Sequence, residues 1–123
     1  MSSPESQVGP VHLDARLALS QIGDEEAMAS MLFMLQESLT RDIPLIAQLF
    51  RDGDLVAANR VLHALKGFIP IFCEPALCEH VVRVEALSKD RQSTAAATAY
   101  LVLIPELEQL LSEVTAYLKA HAA

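Results

Sequence analysis

Val61-Leu62-His63-Ala64-Leu65-Lys66-Gly67-Phe68 is a helical stretch with one odd face, and the rest of the chain can be placed around it. Leu62, Leu65 and Ile69, continued backwards by Ala58 and Leu55, recur at helical spacing and mark a buried stripe. At about 100° per residue, His63 falls roughly 130° from the centre of that stripe and is expected to face solvent. Its surface neighbours one turn away are Asn59, Arg60, Lys66 and Gly67. A glycine inside a helix costs about 1 kcal/mol relative to alanine, so Gly67 requires a reason. The missing side chain leaves room for another molecule to approach the imidazole, and Lys66 and Arg60 put positive charge where an anion would sit. Val56 falls on the same side, where an apolar residue has no core to enter, and is a candidate docking contact together with Asn59 and Arg60.

Outward from this stretch the chain reads as helices separated by short turns. Asp52-Gly53-Asp54 ends one helix and starts the next, with Gly53 free to turn left-handed and Asp54 as the cap. The preceding helix starts at Asp24-Glu25-Glu26 and buries Met28, Met31, Leu32, Leu35, Leu39, Ile46, Leu49 and Phe50. Pro44 is expected to bend that helix without breaking it, because the apolar phase resumes. A short helix over His12 to Ile22 ends at Gly23, and Met1 to Pro10 is expected to be a disordered tail ahead of a domain spanning residues 11–123. Beyond the His63 helix, Pro70 must kink or end it, and Pro75 starts a helix with a stripe of Leu77, Val81, Val84 and Leu87 that ends near Lys89 to Gln92. The last helix takes Ser93 or Thr94 as its cap, runs through Leu101, Ile104, Leu107, Leu111, Val114 and Leu118, and is expected to kink at Pro105.

At 123 residues the chain is one domain with a single core. Its 52% hydrophobic content, rich in Leu and Ala and poor in Gly and aromatic residues, favours an all-helical fold over a sheet. The net charge of −7 argues against non-specific nucleic-acid binding, which needs clustered Lys and Arg. No apolar run reaches the roughly 20 residues needed to cross a bilayer. Met1 to Pro10 has no apolar core of the kind a signal peptide carries, and with only two cysteines the expectation is a protein of the reducing cytoplasm. Cys73, Cys78 and His80 match no usual zinc spacing, and the two cysteines are expected to be buried free thiols rather than part of a metal site or a local disulfide. His12, His80 and His121 lack the Lys-Gly context and are expected to be surface or partly buried residues.

His63-Ala64-Leu65-Lys66-Gly67 resembles the His-x-x-Lys-Gly motif of histidine-containing phosphotransfer (HPt) domains. The resemblance runs from about Leu13 onward through Gly23-Asp24-Glu25-Glu26, Asp52-Gly53-Asp54, Val84-Glu85 and the stretch from Thr94 to His121. It implies an all-α, antiparallel up-down four-helix bundle with a short additional N-terminal helix. It implies a phosphorelay carrier in which His63 accepts a phosphoryl group from a receiver-domain aspartate and passes it to another receiver, with Lys66 near the phosphoryl oxygens. The implied partners are a response-regulator receiver domain and a hybrid sensor histidine kinase. The chain itself would bind no cofactor, the Mg²⁺ belonging to the receiver, and would act as a monomer without an ATP site. Phe68, Ile69, Pro70 and Cys73 stand where the family commonly has small residues and a glycine, which bears on how the His63 helix is oriented.

A neutral imidazole is a good nucleophile towards phosphorus, and an ordinary imidazole pKa of about 6.5 leaves most of it neutral in the cytosol. The chain carries no Gly-rich nucleotide loop, Asp-rich metal pocket or Ser/Cys nucleophile paired with a base. The competing reading is a helical docking module that binds and regulates a receiver or kinase without accepting phosphate. The third is a metal-binding bundle using Cys73, Cys78 and His80.

Overall fold

The structure, a computed structural model, describes residues 11–90 and 93–121. The expected disordered tail, residues 1–10, lies outside the described residues. Five α-helices follow one another: α1 Ala15–Ile22, α2 Glu25–Arg51, α3 Leu55–Phe68, α4 Pro75–Lys89 and α5 Ser93–Ala120. The described residues form no named strand, only an isolated bridge between Leu13 and Cys73. No helix among them is long and apolar enough to cross a membrane.

The helix ends follow local chemistry. Asp14, Asp24 and Asp54 cap α1, α2 and α3 by accepting the amides of Leu17, Ala27 and Ala57. Gly23 and Gly53 take φ of 85° and 74°, the left-handed turns that let the chain reverse after α1 and α2. Pro44 and Pro105 both lie inside continuous helices. Pro70 ends α3, and the chain passes through a 3-10 turn at Ile69–Ile71 before Pro75 opens α4. Ser93 and Thr94, the candidate caps of α5, lie in the first turn of the helix.

α2 packs against α3 and α5, and α4 packs against the same two helices. The core between them is almost wholly aliphatic, and includes Leu32, Leu35, Leu39, Ile46, Leu62, Leu65, Val81, Leu103 and Leu107. Tyr100 is buried there with its ring 5.6 Å from Phe50, and its hydroxyl donates to the Ile43 carbonyl at 2.7 Å. One stripe differs from its sequence reading. In α5 the buried positions are Ala96, Tyr100, Leu103, Leu107, Leu110, Glu113 and Val114, whereas Leu101 is exposed. Ser93 to Pro105 contains no charged residue, so its sequence offers two apolar stripes and only the neighbouring helices choose one.

The segment before α1 is held by a carboxylate from the far end of the chain. Glu113 accepts the amides of Val11, His12 and Leu13 at 2.7, 2.9 and 2.9 Å and also binds Gln109. Burial alone would raise its pKa, but the hydrogen bonds from Gln109 and the three amides outweigh burial and hold the carboxyl below its ordinary value. The same segment bonds to the chain around Cys73 through Asp14 N to Phe72 O and Glu74 N to His12 O. Residues 11–14 thus form a strap across the turn between α3 and α4.

Candidate functional site

The rotation of α3 is fixed by Ala58, Leu62, Leu65 and Ile69, all buried. His63 consequently projects outward, its side chain 67% exposed. Phe68, on the far flank, packs edge-on against Phe72 with ring centroids 5.3 Å apart, so its bulk fills the interior and leaves the imidazole clear.

A residue of α4 completes the site. Glu85 is only 5% exposed at its side chain, and it lies where three side chains of α3 converge. Lys66 Nζ donates to Glu85 Oε1 at 3.2 Å, and Asn59 Nδ2 donates to Oε2 at 3.0 Å. His63 Nδ1 lies 3.6 Å from Oε2, an electrostatic contact longer than a hydrogen bond. Burial would raise the Glu85 pKa, but Asn59, Lys66 and His63 together outweigh it and lower the pKa below the usual carboxylate value. The buried anion is therefore kept ionised by the residues around the histidine.

Asn59, expected on the docking face, turns its amide inward. Besides the carboxylate, it reaches the Glu85 carbonyl at 3.1 Å and Ser88 Oγ at 3.0 Å, so it joins α3 to α4 and positions Glu85. Lys66 is half-buried on Glu85, and at three residues from His63 on the same helix it is a surface neighbour of the imidazole. Arg60 and Val56 are exposed, and Val56 borders a small depression with Leu55, Asn59, Ser88 and Lys89. At Gly67 a Cβ would meet nothing within 4 Å, and the backbone has no positive φ. Neither packing nor backbone geometry requires glycine there, and the space beside His63 is open.

Glu85 was legible in principle. It stands four residues after Val81 on the buried stripe of α4, and a carboxylate in such a position needs a partner. The other titratable cluster is dispersed. Cys73 is buried, and burial pushes its thiol pKa up. Cys78 points its thiol at the Cys73 carbonyl at 3.7 Å, while His80 turns to Glu106 on α5 at 3.0 Å. Among the described residues no group of three or more His, Cys, Asp or Glu side chains is arranged to hold a metal ion.

The site presents a solvent-facing imidazole with a buried carboxylate behind Nδ1, an ammonium group to one side and open space to the other. Comparison with protein-family models, curated proteins and solved structures returned no match.

Proposed function

We propose that the chain is a phosphorelay carrier of the HPt type, its four longer helices forming an antiparallel up-down bundle, working in the cytoplasm. His63 is the phospho-acceptor. Attack by its Nε2 lone pair on the phosphorus of a receiver aspartyl phosphate forms the N–P bond as the acyl P–O bond breaks, returning the aspartate as carboxylate. No proton need leave the ring if the Nδ1 nitrogen carries the hydrogen, and Glu85 behind Nδ1 favours that tautomer. Lys66 offsets charge gathering on the phosphoryl oxygens, and the receiver brings its own Mg²⁺. Gly67, Arg60 and Val56 form the surface on which the receiver docks.

The observation that carries this reading is the exposed His63 ring, backed by a buried, ionised Glu85 and facing the space that Gly67 leaves open. The test is incubation with a phosphorylated receiver. Acid-labile, base-stable phosphate is expected on the wild-type chain and absent from His63→Gln. Receiver binding with no transferred phosphate would instead make the chain a docking module.

A further inference from the structure

The half of α5 from Ser93 to Pro105 has no charged residue, yet it is not buried all round. Leu101 and Val102 are 66% and 61% exposed, and Thr98 and Pro105 continue their stripe along the outer face. Adjacent large apolar side chains on an uncharged surface mark an interaction face.

The charges flanking this face are ordered. On the α2 side Arg51 lines a depression with Ala97 and Leu101, and on the α4 side Arg83 lines a groove with Thr98 and Val102. Further along, Arg41 of α2 lines a depression with Glu37, Leu111 and Thr115 but is paired with its own Asp42 at 2.8 Å, and the remaining flanking charges are acidic. Glu108 is exposed two turns beyond Leu101 and so on the α2 side, while Glu106 lies on the α4 side against His80. The outer face is thus basic at one end, apolar in the middle and acidic at the other.

We propose that this face of α5 binds a second copy of the chain in an antiparallel, two-fold arrangement. Face-to-face packing with the helices parallel would set Arg51 of one copy against Arg83 of the other and Glu106 against Glu108. Antiparallel packing sets each Arg51 against a Glu108 and each Arg83 against a Glu106. Arg51 borders α5 at Ala97 to Leu101 and Arg83 borders it at Thr98 to Val102, each short of the glutamates at 106 and 108, so one two-fold axis crossing α5 between them serves both pairs. A chain of net charge −7 repels its own copies, and this uncharged face with alternating flanks is where they can meet. Because α3 and α5 each pack against both α2 and α4, the outer face of α5 points away from α3 and leaves His63 open on both copies. The dimer is independent of the phosphotransfer reading and departs from the monomer expected on resemblance. One helix per copy is a small contact, so the association is reversible and salt-sensitive.

Sedimentation equilibrium of the full chain over a concentration series at low and high salt tests this. A monomer–dimer equilibrium is expected, loosened by salt, with Kd raised about tenfold or more by Val102→Glu or Arg51→Glu at unchanged helicity by circular dichroism. Adding Glu108→Arg to Arg51→Glu exchanges the pair and should recover most of the lost affinity. A monomer at every concentration, or a dimer indifferent to these substitutions, would overturn the proposal, as would failure of the exchanged pair to recover association.

Discussion

Nδ1 of the exposed His63 lies 3.6 Å from Oε2 of the buried Glu85, the same carboxylate whose other oxygen takes Lys66 at 3.2 Å. One side chain of α4 therefore contacts both the proposed phospho-acceptor and the Lys66 ammonium. Replacing Glu85 with Gln keeps the shape and removes the charge. Phosphotransfer to His63 is expected to slow about tenfold, the effect of losing about 1.4 kcal/mol of transition-state stabilisation. Quench-flow transfer rates check this, with helicity as control, and an unchanged rate would remove Glu85 from the mechanism.

Gly67 separates stability from function. With nothing within 4 Å of an added Cβ, Gly67→Ala should stabilise α3 by about 0.5–1 kcal/mol, seen as a higher Tm. Gly67→Glu should remain folded yet block receiver docking by bulk and charge. Undiminished transfer in the Glu variant would show that the open space beside His63 is unused.

Asn59 and Arg60 are adjacent in sequence and should behave oppositely. Truncating Asn59 to Ala strips a donor from the buried Glu85 and from Ser88, and is expected to cost about 1–3 kcal/mol in a denaturant melt. Arg60→Ala, on the exposed surface, should change stability by no more than about 0.5 kcal/mol. Weaker receiver binding with unchanged stability in the Arg60 variant would mark it as a docking contact.

The strap gives the protein an acid-sensitive joint. Because the Glu113 carboxyl is held below its ordinary pKa, its contribution is complete above the unfolded value of about 4.3 and is lost as pH falls through the lower folded value. Glu85 contributes with the same sign. Thermal melts from neutral to acidic pH should show Tm falling below about pH 4. Glu113→Gln should lower Tm at neutral pH and flatten that fall; an unchanged pH profile would show that the strap does not depend on the charge.

Asp14, Asp24, Asp54, the left-handed Gly23 and Gly53, and the prolines at 70 and 75 set the helix ends in the sequence itself, because caps and backbone restrictions act over a few residues. The outward face of His63 was legible for a similar reason: Ala58, Leu62, Leu65 and Ile69 form the buried stripe, and the remaining large apolar residues of that face, Val61 and Phe68, lie on the flank away from His63. In α5 a rival stripe existed: Leu101, read as part of the apolar stripe, is exposed, and Tyr100 beside it is buried. The convergence of Asn59, His63 and Lys66 on Glu85, and of residues 11–13 on Glu113, depends on which helices meet and at what rotation. A chain specifies its own turns locally, but the partner of a buried carboxylate, and the choice between two apolar stripes, are decided only by the surfaces that close over them.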